Sequence, residues 1–185
     1  TIFSPLISSL LFLLVLSLAI GSDRGEVLGV SFITFLAPGL IAMQVIQQAF
    51  SHSASSFMIK KIDGSIVDIL YAPLSAGEVT LAIILSATTR SIMIAIISII
   101  IFSFIIDLRV NNVLILITFT FLSSFILGAM GMIAGLWAEK FDHMATVTNF
   151  IIVPLSFLSG TFYTIDKLPT FLQMISKINP FFYMI

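Results

Sequence analysis

The sequence predicts an all-α, polytopic integral membrane bundle, and three observations carry that prediction. Of the 185 residues, 59% are hydrophobic and only 9% are charged, where soluble domains carry roughly a quarter charged residues. Mean hydropathy is +1.19. Several apolar stretches exceed the ~20 residues that carry a helix across a ~30 Å hydrocarbon core, whereas barrel strands would alternate over ~10 residues. The absence of cysteine excludes disulfides, thiolate metal sites and cysteine nucleophiles, and a net charge of −1 gives no sign of a nucleic-acid partner.

Five apolar segments emerge, at about 2–20, 31–50, 79–106, 112–137 and 144–160, and a sixth begins near Phe181. We therefore expect a single transmembrane domain over 1–185 with five visible spans of six. The chain opens on Thr1 almost inside an apolar run and stops inside another, so it reads as a fragment lacking an N-terminal segment and a last span. The first run is too long for the ~7–15-residue apolar core of a signal peptide and reads as a span. Alternating passes place 51–78 and 138–143 on one face, and 21–30, 107–111 and 161–180 on the other. Basic residues do not choose between the faces: Lys60, Lys61 and Lys140 lie on the first, Arg24, Arg109, Lys167 and Lys177 on the second.

The long connection 51–78 contains Ile62, Ile66, Ile69 and Leu70 at i, i+4, i+7 and i+8, one face of a short amphipathic helix over 62–70. Such a helix either docks a soluble partner or lies on lipid. Pro73 ends it, and Ser75 with Glu78 three residues on forms a capping box for the next helix.

Within the second segment, Pro38-Gly39 interrupts the run and Gln44, Gln47 and Gln48 fall at i, i+3 and i+4. Amides are unfavourable against lipid, so this stripe should face the bundle, either to bond a neighbouring helix or to meet cargo. Arg90 lies inside the third segment, where a charge at the bilayer centre costs about 2.5–3.5 kcal/mol. It either snorkels to an interface or contacts a charged substrate or headgroup. In the fourth segment Ser124, Gly128, Gly131 and Gly135 permit close helix approach, within the chain or between subunits.

Enzymatic chemistry finds no support. His52 and His143 are widely spaced, the spans hold no paired carboxylates, and no G-x-x-x-x-G-K-[ST] phosphate loop occurs. Any ATP must be handled by a partner.

The final stretch begins as a span but is broken at Pro154 and Gly160, and a second amphipathic run, with Pro169 in its first turn and bounded by Pro180, carries Leu168, Phe171, Leu172, Ile175 and Ile178 on one side. A broken helix followed by a half-length helix predicts a re-entrant hairpin over 155–178 before the last span.

Four strings, "APGLIAMQVI", "KKIDGSIVDILYAPLSAGE", "LGAMGMIAGLWAEKFDHMATVTNFIIVPLSFLSGTFYTIDKLP" and "INPFFYMI", resemble the membrane subunit of ABC-2 type exporters, the group of nodulation-factor, polysaccharide and multidrug exporters. The resemblance implies a six-span permease of the bacterial inner membrane that forms a homodimer in lipid and docks on two ABC ATPase subunits. Those subunits, not this chain, would bind ATP and Mg. It maps the coupling helix onto Ile62, Asp63, Gly64, Ile66, Asp68, Ile69 and Leu70, with Pro73 after it, and makes 51–78 cytosolic. The hairpin of Pro154, Gly160, Pro169 and Pro180 would then be extracytoplasmic; by their own pattern and polarity, Gln44, Gln47, Gln48 and Arg90 are the candidates to face the translocation path. Cargo would be a lipid-linked saccharide, a lipid or an amphipathic drug. The rival reading is a secondary transporter or channel without an ATPase; it calls for intramembrane carboxylates or an inverted repeat, and neither is visible.

Overall fold

A computed structural model describes residues 3–20, 31–106, 112–162, 169–179 and 181–182. Pro180 and the connections bearing Arg24, Arg109 and Lys167 lie outside the described residues, as does most of the expected sixth span. All the regular elements described are helical: α1 (Phe3–Ile20), α2 (Phe32–Ile62), α3 (Ile66–Tyr71), α4 (Ala76–Ser103), α5 (Val113–Trp137), α6 (Phe141–Val147), a π-helical turn (Thr148–Ile152), α7 (Val153–Phe157) and α8 (Thr170–Ile178).

Among the described residues three helices, α2, α4 and α5, are long and apolar enough to cross a membrane. The 31 residues of α2 extend about 47 Å at ~1.5 Å per residue. It begins at Ser31, whose hydroxyl accepts from the Thr34 amide, and it runs through Pro38. Residues 51–62, expected as the start of a polar connection, continue α2 instead. Burial explains the difference: Ser53, Ala54, Phe57 and Met58 pack into the bundle, so neighbouring helices cover one face of the polar stretch.

At the heart of the bundle α2 runs antiparallel to α4 and parallel to α5. Gly131 and Gly135 of α5 lie on the backbone of Phe50 and Ala54, where an added Cβ would come within 2.3 and 2.8 Å of their carbonyl oxygens. Gly128 faces Ile84 of α4. The small-residue stripe therefore packs within the chain, with Ile46, Phe50, Met58, Leu127 and Ile152 forming one core cluster around it. A second cluster joins Leu13 of α1 to Leu36, Leu40, Val45 and Phe102.

The expected fifth span is a helix in three pieces. The π turn precedes Pro154, which lacks the amide an α-helix would use there. Gly160 then adopts φ 88°, a left-handed turn that glycine tolerates at low cost, and Thr161 rests against Gly39 of α2. After Pro169, α8 brings Asn179 back to the bundle, where its side-chain amide donates to the Leu155 carbonyl at 2.7 Å.

Candidate functional site: a polar cavity in the bundle wall

The four path-facing residues expected from sequence come together. Gln44, Gln47, Gln48 and Arg90 line one cavity of about 430 Å³, with Ser4, Ser8 and Ser9 of α1 opposite and Phe12, Phe157 and Phe162 among its apolar walls. The rings of Phe12 and Phe162 meet edge to face at 5.5 Å, and Phe162 stacks on Phe157 at 5.2 Å. These contacts tie α1 to the segment after the π turn.

The three glutamines divide their work. Gln44 is buried; its amide nitrogen donates to the Pro5 carbonyl and the Ser9 hydroxyl, and its carbonyl accepts from Ser98 at 3.3 Å. It is a bridge between α1, α2 and α4, the interhelical role available to amides in a membrane. Gln47 and Gln48 are half-buried at the cavity wall, and the side-chain nitrogen of Gln47 has no hydrogen-bond partner among the described residues.

Arg90 lies 14 residues into α4, about 21 Å along the helix. Its guanidinium points at α2, where one terminal nitrogen donates to Nδ1 of His52 at 3.1 Å, while its buried Nε has no partner among the described residues. The side chain thus turns to the cavity rather than along α4 to a membrane end. Sequence reasoning missed His52, although Gln44, Gln48 and His52 recur every four residues and share one face of α2. The α1 serines were missed too, and Ser4 and Ser8 carry the same spacing.

A second region gathers at the far end of α2. Asp63 caps α2, its amide donating to Ile59 at 2.9 Å, and Gly64 makes the turn at φ 74°. The amphipathic helix expected over 62–70 is shorter than its pattern: Ile62 ends α2, and α3 begins only at Ile66. Nor do its apolar residues share one free face. Ile66 packs toward Phe57, Ile84 and Met132 and Ile69 is half-buried, whereas Leu70 and Tyr71 are 77% and 86% exposed, with Val67 and Leu74 also exposed. Asp68 stands in the first turn of α3 and is exposed, as is Pro73 after it. The capping box forms as expected: the Ser75 hydroxyl accepts from the Glu78 amide at 3.3 Å, and the Glu78 carboxylate accepts from the Ser75 amide at 2.7 Å.

Lys61 joins this end of α2 to α5. Its ammonium donates to the carbonyls of Gly135, Leu136 and Ala138 at 3.4, 2.9 and 2.6 Å, the orphan acceptors at the C-terminus of α5. The α2–α4 connection and the α5–α6 turn therefore lie at the same end of the bundle, as alternating passes require.

Long apolar helices around a polar, Arg-bearing pocket define an integral membrane protein. The ABC-2 type transporter family matches residues 1–185, and the chain belongs to that family, the one its residue strings resemble. It is 31% identical over 185 residues to the inner membrane transport permease YadH of Escherichia coli (strain K12), covering 100% of this chain and 72% of that protein. Nodulation protein J of Rhizobium leguminosarum bv. viciae is 26% identical over 185 residues, with 97% of this chain and 70% of that protein covered. No solved structure matches the chain.

Proposed function

We propose that the chain is the transmembrane permease subunit of an ABC exporter in the bacterial inner membrane, a homodimer in lipid driven by ATP and Mg bound in separate ATPase subunits. Family membership supports this reading, as do relatives named as an inner membrane transport permease and a nodulation protein.

The observation that carries the coupling mechanism is the exposed apolar tip of Val67, Leu70, Tyr71 and Leu74 at the α2–α4 connection. It stands where Ile62, Asp63, Gly64, Ile66, Asp68, Ile69 and Pro73 shape a short projection from the bundle. Apolar side chains on a projection favour a protein groove over water. ATPase motion at this tip would rock α2 and α4 as rigid bodies and alternate the exposure of a path between two copies, provided the partner binds the two states differently. On this reading α1 and the 141–157 run join the three long helices as spans, with a sixth to follow. On the same reading the 155–178 stretch is an extracytoplasmic re-entrant hairpin, turned by Pro154, Gly160 and Pro169. The return of Asn179 to Leu155 supports it. The cargo is a lipid-linked saccharide, a lipid or an amphipathic drug.

The test is co-purification of the complete permease with the ATPase encoded beside its gene. Wild type should retain the ATPase, and Leu70→Asp should lose it while remaining inserted and monodisperse. Full retention by Leu70→Asp would remove the tip as the docking surface. A wild-type protein that retains no ATPase would favour a secondary transporter or channel.

A further inference from the structure

The cavity between α1, α2 and α4 is selective in its hydrogen-bonding chemistry. Its two unsatisfied buried atoms among the described residues, Nε of Arg90 and the side-chain nitrogen of Gln47, are both donors. Acceptors line it too, the side-chain carbonyls of Gln47 and Gln48 and the serine hydroxyls, but all are neutral; Gln44 takes a bond from Ser98, and Nδ1 of His52 takes one from Arg90. Arg90 is the one formal charge among the described lining residues, and no carboxylate lies beside it.

A permanent cation midway along a membrane-crossing helix, with an unpaired donor and no carboxylate among the described lining residues, calls for an anionic ligand made of acceptors. A neutral sugar could accept from these donors but would leave the charge uncompensated. The planar guanidinium fork suits phosphate oxygens, which can take two of its N–H groups at once. Around these polar groups stand Leu40, Met43 and the three phenylalanines, a lining suited to an acyl or isoprenoid chain.

We propose that this cavity is a phosphate-binding subsite that receives the phosphate of an amphipathic, lipid-borne ligand, held by Arg90 and Gln47 with His52 orienting the guanidinium. The inference rests on the transport reading above and narrows its cargo to phosphate-bearing lipids, against neutral saccharides and cationic drugs.

The test uses the complete permease purified in detergent without its ATPase, titrated with short-chain phosphatidic acid, the matching diacylglycerol and pyrophosphate. Wild type should bind phosphatidic acid at least about tenfold tighter than diacylglycerol, the lower range for hydrogen bonds to a charged group. Arg90→Gln should abolish that preference, Arg90→Lys should keep part of it, and Gln47→Leu should reduce it. Competition by pyrophosphate at similar concentration would support a site sufficient for free phosphate; binding of phosphatidic acid alone would support a lipid-borne one. A wild-type protein with no preference, or a preference surviving in Arg90→Gln, would overturn the proposal. Should Arg90→Gln fail to fold, an undiminished preference in Gln47→Leu would overturn it equally. A permease that retains its ATPase but ignores phosphate fails this inference alone, and one that binds phosphate without an ATPase fails only the exporter reading.

Discussion

One methyl group added at Gly131 should force α2 and α5 apart. The new Cβ would sit 2.3 Å from the Phe50 carbonyl oxygen, 3.0 Å from its carbon and 3.1 Å from its Cα. Ordinary contact begins near 3.4 Å, so the helices must separate locally by about 1 Å, and the opposing atoms are backbone that cannot rotate away. Overpacking of this kind costs ~1–3 kcal/mol, against which alanine's better helix propensity returns up to ~1 kcal/mol. Separation also disturbs the contact of Gly135 with Ala54 and the Lys61 bonds beyond it. Gly131→Ala should therefore destabilise the bundle by about 1–2 kcal/mol net. Gly77 is the control: it lies in the first turn of α4 with nothing within 4 Å of an added Cβ, so Gly77→Ala should be neutral or mildly stabilising. Reversible unfolding in mixed micelles, with both variants measured beside wild type, is the assay. Equal stability of the two variants would refute the close α2–α5 packing.

Loss of the α5 cap in Lys61→Met should destabilise by about 1 kcal/mol, since three carbonyls lose a cationic donor at a partly exposed site. Unfolding in the same micelles would read it, and an unchanged midpoint would reduce Lys61 to a surface charge. Gln44→Leu should loosen α1 by about 1 kcal/mol, because its bonds to Pro5, Ser9 and Ser98 all disappear; amide exchange in α1 should rise, while Gln48→Leu should leave it unchanged. At the tip, Ile66→Asp should lower stability because Ile66 packs on Phe57 and Ile84, whereas Leu70→Asp should spare stability and lose the ATPase on co-purification.

How much of this was legible in the chain varies with the range of the interaction. The capping box at Ser75 and Glu78, the break at Pro154 and the turn at Gly160 are local events, decided by residues within a few positions of each other. The amide stripe on α2 was equally visible, because 3.6-residue periodicity places Gln44, Gln47 and Gln48 on neighbouring positions of one face. Composition alone determined a helical membrane protein, since so few charges and such long apolar runs leave the backbone to satisfy its own hydrogen bonds in lipid.

Tertiary structure decided what each polar residue does, because in a membrane the alternative to water is a neighbouring helix and hydropathy is blind to neighbours. The serines and His52 made 51–62 look like a connection, yet packing of α2 against α5 keeps them helical, with Ser53 buried and the others half-buried. The glycine stripe suited an internal or a subunit contact, and only the approach of Phe50 and Ala54 places it inside the chain. Gln44 and Gln47 share a chemistry and nearly a position, but α1 and α4 saturate the first and leave the second open. Arg90 meets His52 across 38 residues of sequence, a pairing set by the antiparallel register of α2 and α4 that no local pattern encodes.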